Sequence, residues 1–134
     1  MKKAVVFDAY AIISYLKDEV GAKTGGRALK DVVGGKLHGS ISAVNLAEVY
    51  YITRRIGGEG YADQVVNSLH EWGLEIIPAD HQLALKAGEI KAVAPLSLAD
   101  AFAAVTAQLQ EATLLTGDPD FHVLEGKIKI QWLE

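Results

Sequence analysis

The sequence predicts an α/β fold of three layers, with helices on both faces of a central, mostly parallel sheet of about five strands. Three observations carry this. Stretches of strand character alternate with stretches of helical spacing almost from end to end, the order that yields parallel strands joined by crossover helices. The first of them, residues 4–7, is a continuous apolar run rich in β-branched residues and closed by Asp8, which suits a strand covered on both faces. Finally, 134 residues, 50% of them hydrophobic, with no internal repeat, low-complexity tract or Pro/Gly/Ser linker, suffice for one core and not for two. Residues 1–134 are therefore expected to form a single domain.

After the first strand, residues 11–16 keep an apolar pattern up to Lys17-Asp18, and residues 21–33 place Ala28, Leu29, Val32 and Val33 at three- and four-residue spacings. Two helices follow, the second ended by Gly34-Gly35. Residues 37–41 read as the second strand. Ser42 is a good N-cap for a helix from Ala43 to about Ile56, stopped by Gly57-Gly58, and a further helix over 61–72 ends at Gly73. Residues 74–77 alternate briefly as the third strand, and Asp80 caps a helix that reaches about Val93 and is closed by Pro95. Ser97 caps an alanine-rich helix running to Gln110. Residues 113–115 form the fourth strand, and 127–132, with Ile128, Ile130 and Trp132 alternating, the fifth. In such a sheet, ligands bind outside the carboxyl ends of the strands.

Thirteen Lys and Arg against 17 Asp and Glu leave a formal charge of −4, which excludes a basic nucleic-acid binder of the chain-wide kind. Any nucleic-acid contact has to come from a local patch or a metal. The absence of cysteine removes disulfide scaffolds, thiolate zinc sites, iron–sulfur clusters and cysteine nucleophiles. The run at 4–7 is too short for the apolar core of a signal peptide, and no stretch reaches the ~20 apolar residues of a membrane span. A soluble, cytoplasmic protein with no membrane partner is the expectation.

The informative residues are acids set in apolar surroundings. Asp8 follows the first strand, where an unpaired buried carboxylate is costly, so it must cap the next helix or serve a site. Glu48 sits four residues after Val44 and four before Ile52, on the same side of its helix, which predicts partial burial. Asp100 belongs to the capping box Ser97-Leu98-Ala99-Asp100, yet shares a helix face with Ala103, Ala104 and Ala107, small residues that allow close approach to the sheet. Leu98, Phe102, Val105 and Leu109 form the other face. Asp118 leaves the fourth strand and precedes Pro119, a helix-start signal.

Capping accounts for each acid taken singly. Together, Asp8 and Asp118 leave strand ends, Asp100 opens the helix before the fourth strand, and Glu48 can join from the helix after the second. Carboxylates gathered in this way repel by roughly 3 to 4 kcal/mol per close pair, well beyond the return of a capping bond, so a cation is expected among them. An all-oxygen ligand set points to Mg²⁺, or to Mn²⁺. His38, His70, His81 and His122 are scattered and show no metal-ligand spacing. Without those four acids, the remaining ones equal the 13 Lys and Arg in number, so the net acidity is concentrated rather than spread.

In order and spacing, Asp8 in Val-Val-Phe-Asp-Ala-Tyr, Glu48 in Asn-Leu-Ala-Glu-Val, Asp100 in Leu-Ala-Asp-Ala and Asp118 in Leu-Leu-Thr-Gly-Asp-Pro-Asp-Phe resemble the motifs of PIN-domain ribonucleases, most closely the VapC-type toxins of prokaryotic toxin–antitoxin modules. The resemblance covers essentially the whole chain. It implies a PIN-like form of the three-layer fold and a Mg²⁺-dependent endoribonuclease that cleaves RNA phosphodiester bonds to leave a 5′-phosphate and a 3′-hydroxyl. It further implies Asp8, Glu48, Asp100 and Asp118 as the catalytic, metal-holding quartet, with Asp8 and Asp100 as direct ligands. Thr116 matches the hydroxyl residue that the family places before its last acid, where it steadies an acid from behind. Asp120 is a supporting acid; between it and Asp118 the choice of metal-facing residue stays open, with Asp118 preferred because it stands closer to the strand. Many relatives follow the first Asp with Ser or Thr. Here Ala9-Tyr10 follows, so that hydroxyl is missing or replaced by the Tyr10 phenol. A homodimer and a cognate antitoxin are also implied.

Arg54 and Arg55 follow Glu48 on its helix and are the candidate phosphate contacts for RNA. Tyr50, Tyr51 and Tyr61 are candidates for base stacking, with core packing the simpler account of each. The alternative expectation is a catalytically silent PIN-fold module that binds RNA or protein, which the presence of all four acids disfavours. A phosphoacceptor α/β domain fits less well, because Tyr10 stands where a second acid is needed and Pro78 follows Ile77 at the third strand's end.

Overall fold

The computed structural model describes residues 2–133. Five strands, β1 (Lys3–Phe7), β2 (Leu37–Ser42), β3 (Glu75–Ile77), β4 (Thr113–Thr116) and β5 (Ile130–Trp132), form one sheet in the order β3-β2-β1-β4-β5, with every neighbouring pair parallel. The helices are α1 (Ala9–Leu16), α2 (Ala22–Val33), α3 (Ala43–Glu71), α4 (His81–Val93) and α5 (Leu98–Leu109), and a 3-10 helix (Pro119–Leu124) joins β4 to β5. The chain thus builds outward from β1 to β3 and returns to β4 on the other side of β1. The carboxyl ends of β1 and β4 flank the topological switch point, where connections leave in opposite directions and open a crevice. Pairing of Val5 with Thr113 through Phe7 with Leu115 sets Asp8 and Thr116 next in line at that edge.

Alternation along β1 divides the core. Val5 and Phe7 pack with Ile12 of α1, Leu29 of α2 and Val49, Val65 and Leu69 of α3. Val6 points the other way, with Leu114, onto Ala103, Ala104 and Ala107 of α5 and onto Phe121 and Leu124. The small residues of α5 therefore do face the sheet, as expected. On its other side, Phe102 and Val105 are buried against Leu83 and Ala87 of α4, whereas Leu98 and Leu109, at the ends of the helix, are exposed.

Two elements differ from their expected form, whereas the helices expected on either side of Gly57-Gly58 are the two arms of α3, separated by a bend at Gly58, whose φ of 88° and ψ of 178° leave the helical region. The bend brings the two arms close enough for the Tyr50 hydroxyl to donate to Asp63 at 3.4 Å. The fifth strand begins only at Ile130, because the amides of Lys127 and Ile128 bond back to the Leu124 carbonyl in a turn. Pro119 starts a helix of the 3-10 kind. Among the described residues, no single helix is long and apolar enough to cross a membrane.

Candidate active site

Asp8 ends β1 and caps α1. Its backbone is extended (φ −89°, ψ 176°), and its Oδ1 accepts the Ala11 N–H at 2.8 Å, which satisfies one of the free amides of the helix start. Its Oδ2 accepts a hydrogen bond from the Thr116 hydroxyl, and Thr116 Oγ1 in turn accepts the Asp118 N–H at 3.0 Å. Asp8 is only 3% exposed and Thr116 is fully buried. Capping and site membership, the two readings of Asp8, are both present in one side chain.

The other acids arrive from separate elements. Asp100 stands in the first turn of α5, where its N–H donates to the Ser97 hydroxyl at 3.1 Å. Glu48 projects from the first arm of α3, half-buried as its spacing predicted. Asn45, one turn earlier and buried, donates through Nδ2 to Glu48 Oε1 at 3.0 Å and to the Ala99 carbonyl at 3.3 Å. This amide ties α3 to the residue before Asp100. Sequence reasoning gave Asn45 no role; its position three residues before Glu48 on one helix was the available signal. Asp118 follows β4 and accepts the Asp120 N–H at 2.9 Å, opening the 3-10 helix.

These elements bring Asp8, Glu48, Asp100 and Asp118 together around one cavity of about 290 Å³, which Ala9, Tyr10, Ile13, Ser14, Glu19 and Ile52 complete. Asp120 is exposed, yet carboxylate oxygens of Asp100, Asp118 and Asp120 all lie within 4.8 Å of one another. Asp120 therefore stands beside Asp118 in the cluster. Glu19 and Ser14 at the wall were not anticipated from the sequence.

The electrostatics are those of a site short of positive charge. Burial is the main reason that the Asp8 carboxyl is raised from 3.8 to about 7; the charges of Asp100 and Asp118 add to the rise, and the bonds from Thr116 and Ala11 oppose it. Asp100 is raised to about 6, again chiefly by burial and then by Asp118, Glu48 and Asp120, with Ser97 opposing. The donor set is all oxygen, contains no His among the cavity's lining residues, and repels itself. It fits a hard divalent cation, which takes carboxylate oxygens and water and offsets the like charges.

Arg54 and Arg55 are not among the lining residues. The Arg54 guanidinium donates to the Tyr50 hydroxyl at 3.0 Å and pairs with Glu59 at 3.3 Å, on the side of α3 that faces its second arm. Arg55 comes seven residues after Glu48, close to two turns at ~3.6 residues per turn, and so continues the stripe of Glu48 and Ile52 beyond the cavity. Its guanidinium lies over the Tyr51 ring, 5.0 Å from the centroid.

A parallel sheet in the order 3-2-1-4-5 with acids converging on a crevice at the β1/β4 switch point defines a class of α/β domain whose ligand site is at that edge. The family model of the PIN domain matches residues 5–127, and the chain belongs to that family. No curated protein matches the sequence. Among solved structures, this chain is similar to a chain of VapBC2 from Rickettsia felis bound to a DNA fragment from their promoter, at a TM-score of 0.77 and 16% identity, covering 98% of this chain and 99% of that one. DNA-bound VapBC from Salmonella typhimurium gives 0.75 at 20% identity over 100% of both chains. The Mycobacterium tuberculosis toxin VapC20, described as Sarcin-Ricin loop cleaving, gives 0.71 at 15% identity, covering 89% of this chain and 93% of that one. The fold is that of VapC-type PIN toxins, as the four motifs implied.

Proposed function

We propose that this chain is a Mg²⁺-dependent endoribonuclease of the VapC type, the toxin half of a toxin–antitoxin pair. The observation that carries the reading is the convergence of Asp8, Glu48, Asp100 and Asp118 on one cavity at the switch point of a PIN fold. Asp8 and Asp100 are the residues to hold Mg²⁺ (or Mn²⁺) directly, with Asp118, Glu48 and the neighbouring Asp120 completing its surroundings. When bound, the ion lowers the pKa of an attacking water and offsets charge that develops on the scissile phosphate.

The protein's own groups do the rest. Thr116 holds the Asp8 carboxylate in one orientation and favours its charged form, because its hydroxyl bonds more strongly to a carboxylate than to a neutral carboxyl. Asn45 fixes Glu48 so that its carboxylate faces the cavity, where it can orient the water and accept its proton. Water oxygen bonds to phosphorus as the bond from phosphorus to the 3′-oxygen breaks, the departing 3′-oxygen takes a proton from solvent water, and the products are a 5′-phosphate and a 3′-hydroxyl. Arg55, on the stripe that leaves the cavity, is the better placed of the two arginines to hold the strand's backbone.

The single domain, the homodimer, the cytoplasmic setting and a cognate antitoxin as partner belong to the same proposal; the similarity to chains solved in VapBC complexes supports the last. The test is cleavage of total RNA by the purified chain with Mg²⁺ and with excess chelator, followed by mapping of fragment ends. Discrete Mg²⁺-dependent cuts that vanish in Asp8→Asn and Asp100→Asn are expected. Cleavage that persists in either variant removes the assignment, and no cleavage by the parent chain on any RNA removes the nuclease.

A further inference from the structure

The first turn of α1 buries Ala9, Ala11 and Ile12 but leaves Tyr10 46% exposed. Tyr10 borders the acidic cavity and also a second depression, lined with it by Ser14, Asp18, Glu19 and Val20. Its ring rests against Gly117, the residue between Thr116 and Asp118. A Cβ at that position would come within 2.5 Å of Tyr10 Cε1, 3.0 Å of Cδ1 and 3.2 Å of Cζ. Gly117 has no left-handed φ that demands glycine, so the space it leaves is occupied by the ring itself. Core packing does not account for a large aromatic side chain that is half open to solvent and seated on loop backbone beside a group of carboxylates.

We infer that the Tyr10 ring is the platform on which a base of the RNA substrate stacks, next to the phosphate that enters the acidic cavity; this rests on the nuclease reading above. A wall of carboxylates on a chain of charge −4 gives a polyanion little to hold. Arg54 is already engaged by Tyr50 and Glu59. Arg55 lies beyond the cavity, so at the cavity mouth itself the strand needs a contact that does not depend on charge, and an aromatic face there supplies one. Stacking of one base on such a ring changes affinity by about tenfold or more. Only an unpaired base offers its face, so the contact favours a substrate that is single-stranded at the cut. The ring, not the phenol, does the work.

The experiment measures binding with cleavage blocked. Asp100→Asn protein is titrated against a fluorescein-labelled, mixed-sequence single-stranded oligoribonucleotide, alone and combined with Tyr10→Ala, Tyr10→Phe or Tyr10→Trp, and the melting temperature of each protein is recorded. Tyr10→Ala is expected to weaken binding about tenfold or more with melting little changed, while Phe and Trp restore it to within about twofold. Unchanged affinity in Tyr10→Ala overturns the inference, as does a Phe variant as weak as Ala, which would assign the role to the hydroxyl. Loss confined to binding of a protein partner, with RNA affinity intact, makes the ring a protein contact and also overturns it. If the Asp100→Asn parent binds no RNA and the wild-type chain cuts none, the nuclease reading has failed first; if both hold and Tyr10→Ala alone is silent, only the inference about Tyr10 has failed.

Discussion

Thr116 Oγ1 donates to Asp8 Oδ2 and accepts the Asp118 N–H at 3.0 Å, so one buried hydroxyl joins acids that lie at opposite ends of the chain. The pairing of Phe7 with Leu115 is what makes this contact possible. With Ala11 N–H on its other oxygen, Asp8 has little freedom to turn, although burial disfavours its charge. A carboxylate fixed in orientation and destabilised in charge is suited to take up a cation.

Thr116→Val keeps the shape of that side chain and removes the hydroxyl. Asp8 then loses a donor and the Asp118 amide an acceptor, so the Asp8 carboxyl rises above about 7. The expected result is an activity loss of about 10- to 100-fold at pH 7, with the acid limb of the pH–rate profile displaced upward. Stability should fall by about 1–3 kcal/mol for the groups left unpaired. A profile that keeps its position while the rate falls would show that Thr116 does not act through Asp8.

The metal-free chain should lose stability as the pH rises. Asp8 and Asp100 have folded pKa values of about 7 and about 6 against 3.8, so between pH 3.8 and 7 the folded state holds more protons than the unfolded one. Unfolding free energy therefore falls across that window; the penalty is absent below it and complete above about pH 7. For Asp8 it is on the order of 4 kcal/mol. Asp100 is partly open to solvent and contributes less. Melting curves in chelator from pH 4 to 8 check the fall, and Mg²⁺ should raise the melting temperature more at pH 8 than at pH 5. Equal stabilisation at both would detach the ion from these carboxyls.

Much of this site was legible because each acid also breaks a local pattern. Asp8 ends an unbroken apolar strand, Asp118 precedes proline, and Glu48 falls on the apolar stripe of its helix. The switch point followed from the alternation of strands and helices. Asn45 was not legible as a positioning group, since its link to the Ala99 carbonyl spans 54 residues and depends on how α3 and α5 meet. Nor was the seat of Tyr10 on Gly117, because a glycine beside a strand end reads as a turn until the ring that fills its place is seen. The break at Gly58 was placed correctly, but the contact of Tyr50 with Asp63 across it depends on how the two arms meet, which local glycine content does not encode.

Arg54 and Arg55 are adjacent in sequence and should behave differently. Arg55 continues the line of Glu48 and Ile52, and Arg54 is turned toward Tyr50 and Glu59. Arg55→Ala is expected to weaken binding of single-stranded RNA at all sequences alike and to lower the slope of log affinity against log salt by about 1. Arg54→Ala should leave that slope unchanged and change the melting temperature little, because exposed ion pairs contribute little to stability. Titrations at three salt concentrations separate the two. The reverse ranking would place the strand along the groove between the arms of α3.

Gly117→Ala tests the seat of the ring from the opposite side. The φ there does not demand glycine, and the nearest atoms an added methyl meets belong to the Tyr10 side chain, with Cε1 at 2.5 Å. Because Tyr10 is 46% exposed, the ring can swing away into solvent, and the cost in folding should stay below about 1 kcal/mol. Displacing the ring should nevertheless raise KM for RNA as Tyr10→Ala does, with kcat less affected. In the double variant the second substitution finds nothing left to displace, so its KM should match that of Tyr10→Ala alone, a coupling as large as either single effect. Additive losses would mean that Gly117 acts through Asp118 and not through the ring.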